Sequence, residues 1–206
     1  VRSTCSIAAR FGDIWALPIR RRYSHVLLEL GRGGERVLHI GAGDCHLAGV
    51  LGEAWGDVSY ASCDIDTDGG HDFHALEDIP DDGTFDLIFG FEVIEHMTLE
   101  AAGAAIAESC RLLQPGGTLV LSTPNIFYPP GFLRDATHLT PFCYDELGAL
   151  ATLGGLEVES IYRLYHDSLV KKLLRRVVFY PVFRLLGIDF ARQILLVARR
   201  PEANGG

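Results

Sequence analysis

The stretch Val37-Leu38-His39-Ile40-Gly41-Ala42-Gly43-Asp44-Cys45 decides the fold. An apolar run of strand length ends in two glycines, which let the backbone turn tightly and approach a ligand, and helix-forming sequence follows over residues 45–54. The free N–H groups at the start of such a helix suit a nucleotide-like ligand. A second reading gives the glycines to the turn alone. The next strand-like run, Tyr60-Ala61-Ser62-Cys63-Asp64, ends in a carboxylate 21 residues after Gly43, where an acid would accept hydrogen bonds from a ribose diol. Asp66 and Asp68 read as solvated loop acids. A dinucleotide fingerprint needs a third glycine, and His46 holds that position, so a nucleoside ligand without a diphosphate is the better match.

Working outward, short β-like runs at 36–40, 58–63, 85–91 and 118–122 alternate with helical runs at 99–113 and 144–153. That alternation predicts an α/β domain with a mainly parallel sheet. Pro115-Gly116-Gly117 stops the first of these helices, and Asp145 or the preceding turn caps the second. Residues 13–30 also read as helical, interrupted at Pro18. Strands at 156–162 and 193–198 are separated by a long basic, apolar-rich insert, a layout that permits an antiparallel pair closing the sheet.

The 206 residues suit one globular domain, and 48% hydrophobic content is enough to bury a sizeable core. The net charge of −9 is unevenly placed: through Asp167 there are 25 Asp/Glu against 10 Lys/Arg, and from Ser168 onward 8 Lys/Arg against 2 Asp/Glu. An acidic body argues against a nucleic-acid partner, while the basic tail leaves room for an anionic one. No run reads as a transmembrane helix, because the longest uncharged stretch, 112–133, is broken by prolines and glycines, and the N-terminus lacks an apolar signal core. A soluble, cytoplasmic protein is expected. The chain begins at Val1 rather than at Met, as a processed or partial chain would. Its five scattered cysteines contain no C-x-x-C pair, which predicts reduced thiols, and no spaced ligand cluster is visible, which predicts metal independence.

The chain resembles class I S-adenosylmethionine-dependent methyltransferases of the type 11/23 kind. The resemblance rests on residues 37–45, on Asp64, on Phe85-Asp86-Leu87-Ile88-Phe89-Gly90-Phe91-Glu92-Val93-Ile94-Glu95-His96-Met97, and on residues 111–125, which end in Thr123-Pro124-Asn125. It implies a Rossmann-like three-layer sandwich around a mainly parallel seven-stranded sheet with an antiparallel last strand. It also implies a single domain: an N-terminal helical segment at 1–35, a cofactor-binding core at 36–162, and the basic amphipathic insert at 168–187 before the last strand. S-adenosyl-L-methionine is the implied cofactor.

Carried onto this chain, the resemblance passes Gly41, Ala42 and Gly43 beneath the methionine part of the cofactor, gives Asp64 the ribose, and packs Ile65 on adenine. Asp72 would accept from the adenine amino group and the Phe73 N–H would meet a ring nitrogen, with Asp78 as the alternative acid. Phe91 and Glu92 would line the other side. For His96 two readings stand, cofactor contact and backbone cap, and Glu95 is expected to be a structural hydrogen-bond partner. Two departures bear on affinity. His39 replaces the family's acid that helps bind the cofactor's ammonium, and a neutral imidazole there gives up the charge attraction. Cys45 replaces a third glycine of the turn.

Methyl transfer needs an aligned nucleophile, excluded water and, for a hydroxyl acceptor, a base. His138 is the candidate base with Asp135 as its orienting partner, and the alternative is that His138 fixes its loop. In the insert, Leu169, Val170, Leu173, Leu174 and Val177 share one helical face, and Lys171, Lys172, Arg175 and Arg176 the other. Such a segment lies on an anionic membrane, covers a long acceptor, or packs over its own sheet. The Thr-Pro-Asn and Asp-x-Thr-His loop is similar to that of methyltransferases of glycans, lipid-linked saccharides or quinones. This supports O-methylation of a small-molecule, glycan or lipid-linked acceptor, with peripheral membrane contact through 169–186. The rivals are a nicotinamide-dependent oxidoreductase, disfavoured by His46, and a cofactor-binding but inactive partner domain.

Overall fold

The computed structural model describes Ile7 and residues 10–80, 85–165 and 168–202, without the side chains of Leu169 and Lys172. Two members of the insert's expected faces, and most of residues 1–9, thus lie outside the described residues.

The motif strand is β2 (Arg36–Ile40), whose last four residues are buried. A parallel strand covered on both faces reads as a continuous apolar run, and this one does. Helix α2 (His46–Trp55) and β3 (Ser59–Cys63) follow, then β4 (Phe85–Phe91), helix α3 (Leu99–Leu112) and β5 (Leu113–Pro124). Helix α3 starts where Thr98 Oγ1 accepts the Ala101 N–H at 3.2 Å. Beyond β5 come the short helix α4 (Pro129–Leu133), α5 (Tyr144–Leu153) and β6 (Glu157–Leu164). The cap of α5 is Cys143, whose N–H meets Glu146, rather than Asp145. Two further helices, α6 (Leu169–Leu173) and α7 (Tyr180–Leu186), joined by a π-helical turn at Leu174–Val178, precede the last strand, β7 (Gln193–Arg199). Pro181 sits in the first turn of α7, where its missing N–H is harmless.

The chain differs from expectation ahead of the motif. Residues 13–30 are not one interrupted helix: β1 (Ile19–Arg20) precedes helix α1 (Tyr23–Leu30) and pairs in parallel with β6. Proline explains it, because it disfavours helix in the preceding residue and cannot donate. The Pro18 carbonyl instead accepts the Arg163 N–H at 2.9 Å. β1 is thereby the seventh strand, in the order β1-β6-β7-β5-β4-β2-β3. β7 runs antiparallel to both β5 and β6, and the other pairs are parallel.

Alternation along the strands divides the core between the two faces of the sheet. Leu38, Ile88, Leu119 and Leu196 pack with Ile106 of α3 and Leu147 of α5. Val37, Phe89, Val120 and Leu195 pack with Leu27 of α1 and Leu51 of α2. The result is helix, sheet, helix, with the carboxyl ends of β2, β3 and β4 on one edge. Between β2 and β4 the order of strands reverses, and in open α/β sheets that crevice is where ligands bind.

Candidate active site

The turn after β2 is built on close approach. Gly41 donates to the Cys63 carbonyl at 2.8 Å with φ +66, and a Cβ on it would stand 2.3 Å from Val93 Cγ2. Gly43 also has a positive φ, +50, but open space around it, and its N–H donates to Asp64 Oδ2 at 2.9 Å. Cys45, where the family's third glycine stands, itself adopts the left-handed conformation with φ 55. So the turn keeps a glycine's shape at the cost of local strain. Asp64 Oδ1 accepts the Asp66 N–H at 3.1 Å. Partial burial pulls the Asp64 carboxyl upward, but these N–H groups outweigh it and hold the carboxyl below the usual range. Each oxygen keeps a second lone pair for a ligand.

A cavity of about 840 Å³ opens at this switch point, and Gly41, Asp64, Ile65, Glu92 and His96 line it. Ile65 stands 90% exposed at the rim, free to cover a ligand. The structure does not bring the other expected residues to the wall. Asp72 Oδ2 accepts both the N–H and the hydroxyl of Ser62, at 2.8 and 2.9 Å, and the Phe73 N–H donates to the Ser62 carbonyl at 3.0 Å. Both are therefore used in extending the sheet edge, through a bridge between Cys63 and Phe73. Asp78 is not on the wall either; Glu77, one residue earlier, is, together with Leu76. Phe91 faces the opposite layer, stacked on Tyr23 at 4.1 Å. Sequence reasoning missed Val93, Met97, Ala101 and Ala105. The alanine-rich start of α3 was the available signal, since small side chains three and four apart leave a groove.

His39 is buried behind the cavity wall, its ring stacked on Phe89 at 4.3 Å and its Nδ1 2.7 Å from the Tyr60 hydroxyl. Burial lowers its pKa to about 4, so the imidazole is neutral. The unfolded chain therefore binds more protons than the folded one between the two pKa values, and stability falls as pH drops through that window. Unfolding at about pH 7 and about pH 5 should differ by about 2 kcal/mol from this group. His39→Gln should remove that difference in urea titrations at the two pH values.

After β4 lies a cluster of titratable side chains. Glu92 closes β4 with φ 56, a strained conformation for a side-chain-bearing residue. Its N–H donates to the Ser122 carbonyl at 3.0 Å and its Oε1 accepts the Ser122 hydroxyl at 3.1 Å. Glu95 is a hydrogen-bond partner through its backbone carbonyl, which accepts from Leu139 and Thr140. Its fully buried carboxylate has the Thr123 side chain beside it, but neither oxygen closes a well-formed hydrogen bond. Burial, reinforced by the Glu92 charge, pushes its pKa up to about 8.

His138 is held by Nδ1, 2.9 Å from the Phe132 carbonyl. A carbonyl only accepts, so Nδ1 carries the proton and Nε2 a lone pair. The expected partner Asp135 stands off from His138, its Oδ2 3.9 Å from Nε2, while its Oδ1 accepts the Thr137 N–H and hydroxyl at 2.9 and 2.7 Å. These bonds keep the exposed Asp135 carboxyl low. Because the Thr137 hydroxyl proton goes to Asp135, its oxygen accepts from His96 Nδ1 at 3.0 Å. His96 Nε2 is thereby the free nitrogen too. Asn125, near the expected site of the base, is fully buried and structural, donating to the Tyr144 hydroxyl and to the Ala191 carbonyl at 2.9 Å each.

The family described as "Methyltransferase domain" matches residues 16–161. A curated relative from Mycolicibacterium smegmatis, a probable S-adenosylmethionine-dependent methyltransferase, is 39% identical over 93 residues, 42% of this chain. The chain spans about a third, 34%, of that relative's length. Among solved structures, a SAM-dependent methyltransferase from Archaeoglobus fulgidus matches with a TM-score of 0.67 at 17% identity, over 96% of this chain and 94% of its own. A SAM-dependent methyltransferase from Methanosarcina mazei matches with a TM-score of 0.63 at 14% identity, over 89% and 100%. These likenesses carry the fold, and the family match carries the assignment. With its reversal of strand order over a glycine turn and an acid at the end of the next strand, the chain belongs to the class I S-adenosylmethionine-dependent methyltransferases.

Proposed function

We propose that the protein methylates an oxygen of a small-molecule, glycan or lipid-linked acceptor. The observation that carries this reading is one cavity lined by Asp64, the Gly41 turn, Glu92 and His96, with His138 packed against His96 at a ring distance of 4.9 Å. S-adenosylmethionine supplies a methyl group made electrophilic by its positive sulfur. The residues present suit that cofactor. Asp64 retains lone pairs for a ribose diol, and Leu76, Met97 and Ala101 offer an apolar slot for adenine. The carboxylates of Glu77 and Glu92 supply acidic surroundings for a cationic ligand. The Nε2 lone pair of His138 is available to take an acceptor's proton.

Calorimetry with S-adenosylmethionine and S-adenosylhomocysteine tests the reading. Saturable binding of both is expected, and Asp64→Ala should weaken it by ~10–100-fold, the worth of hydrogen bonds to a charged group. Absence of binding by the intact chain would falsify the cofactor assignment. Binding without turnover on any acceptor would favour the inactive partner domain.

The insert supports a lipid-linked acceptor at an anionic membrane. Val170, Leu173 and Val177 are 65–69% exposed, and Leu185 is 85% exposed. The described side chains of this face do not pack over the sheet. Tyr180 and Phe183 anchor the segment against Trp15 and Phe190, at ring distances of 5.2 Å each, and leave the aliphatic residues outward. Exposed Lys171, Arg176 and Arg184 accompany them. Among the described residues no helix is long and apolar enough to cross a membrane, so contact would be peripheral. In flotation assays the chain should bind phosphatidylglycerol vesicles in a salt-sensitive way and phosphatidylcholine vesicles weakly. Leu173→Glu with Val177→Glu should weaken binding by at least ~10-fold, since burying each aliphatic is worth ~1.5–3 kcal/mol. Equal flotation of the double variant would remove the insert from the interface.

A further inference from the structure

We propose that Glu95, His96 and His138 form a site for one divalent first-row transition cation beside the methyl-transfer cavity. Metal-ligating atoms of these three residues lie within 4.8 Å of one another. Ligands on a cation of zinc's size stand about 3–3.5 Å apart. His96, which is exposed, can move to close the remaining gap.

The side chains are unfinished in a way that points to a ligand. Glu95 is 0% exposed, and neither carboxylate oxygen closes a well-formed hydrogen bond; the polar side chain beside it is the Thr123 hydroxyl, itself buried and unsatisfied. A buried carboxylate left so is costly, and one hydroxyl can serve one of its two oxygens at most. A cation would satisfy both oxygens. The histidines show the complementary pattern, because the Phe132 carbonyl and the Thr137 hydroxyl fix each Nδ1 proton and leave each Nε2 lone pair unused. Metal-binding imidazoles are oriented in this manner, the second nitrogen donating to a carbonyl or to a hydroxyl backed by a carboxylate. The Asp135 carboxylate stands behind Thr137 and 3.9 Å from His138 Nε2, and Glu92 lines the cavity next to His96. Both add negative charge that favours a cation.

Two imidazoles and one carboxylate make a borderline donor set, suited to zinc, cobalt, iron or manganese rather than to calcium. Resting on the methyl-transfer reading, a cation here would hold an acceptor hydroxyl as a further ligand and ease loss of its proton, and His138 would then serve as a ligand in place of acting as the base. The site itself is a property of the chain alone, and its test uses no cofactor, so its failure would leave the methyl-transfer reading standing.

The experiment is titration of the chelator-stripped full chain with cobalt(II), followed by visible absorption, calorimetry and thermal midpoint. One equivalent should bind with a d–d band and a raised midpoint. Glu95→Gln, His96→Gln and His138→Gln should each weaken binding by at least ~10-fold. His96 is on the surface, so His96→Gln keeps the fold and remains informative if a buried variant does not. His46→Gln, which removes a histidine outside the cluster, should leave the affinity unchanged. The proposal is overturned if no stoichiometric binding occurs, or if it survives His96→Gln undiminished, which would indicate an adventitious ion only.

Discussion

Asp189→Ala is expected to destabilise the fold by about 3–5 kcal/mol, the usual result of stripping one partner from a buried ion pair. Asp189 is 1% exposed and Arg163 3%. Asp189 Oδ1 lies 2.6 Å from one Arg163 terminal nitrogen, and Oδ2 lies 3.1 Å from its Nε, the two-pronged arrangement that gives Arg–carboxylate pairs their strength. The same carboxylate accepts the Tyr144 hydroxyl at 2.8 Å, Asn125 Nδ2 at 3.2 Å and the Phe190 N–H at 2.7 Å. One side chain thus joins β6, α5, the end of β5 and the entry to β7. Its removal leaves a guanidinium in apolar surroundings, facing the rings of Trp15, Tyr165 and Phe190. At ~2–4 °C per kcal/mol for a chain of this size, the thermal midpoint should fall by roughly 6–20 °C. Asp189→Ala with Arg163→Met should recover part of the loss, because it removes the uncompensated charge while the Tyr144 hydroxyl, Asn125 and the Phe190 N–H still lose an acceptor. A drop under about 1 kcal/mol in the single variant would mean that water reaches the guanidinium.

Gly41→Ala should cost ~100-fold or more in affinity for S-adenosylhomocysteine, the scale of effect expected when a binding element shifts by an ångström. The positive φ alone costs about 1–2 kcal/mol for alanine. The new methyl would also press on Val93 Cγ2 at 2.3 Å, and a β-branched side chain has few rotamers with which to yield. Val93 lines the same cavity, so strain at Gly41 is transmitted to the ligand's other wall. Gly43→Ala is the matched comparison: its φ is similarly positive, +50, but nothing lies within 4 Å. It should lose only stability, with affinity within a few-fold of the parent. Val93→Ala should restore binding to Gly41→Ala. Equal affinity losses for the two glycine variants would show that turn strain, not the Val93 contact, governs the site.

What could be read from the chain follows from the range of the interactions involved. Strands β2 through β5 and their helices were legible because each buries its own apolar period, and the turn at Gly41 and the acid at Asp64 sit where a single strand ends. The seventh strand was not legible. Two residues carry no periodicity, and Ile19–Arg20 is a strand only because Arg163 and Leu164 lie beside it. Asp72 resembled an adenine acceptor as an acid followed by Phe, but whether such an acid faces a ligand or its neighbour's N–H depends on pairing, and here Ser62 takes it. His39 could be read as a missing charge, while its burial between Phe89 and Tyr60 needed the neighbouring strands.

The amino-acid sequence by itself determined the α/β alternation, the glycine turn and the acid at the end of the next strand, because these rest on local period and turn chemistry, while its resemblance to methyltransferases supplied the layers, the cofactor and the family. The tertiary structure alone decided which acids face the cavity, and that Val170, Leu173 and Val177 of the insert are turned outward. It also decided that Glu95 and His96, after β4, meet His138 from a loop 42 residues further on. A spacing of that length has no sequence signature, since residues on separate loops are brought together only when β4 and β5 pair and the Thr140 N–H binds the Glu95 carbonyl. The buried Glu95 carboxylate, likewise, could be found only by asking what surrounds it.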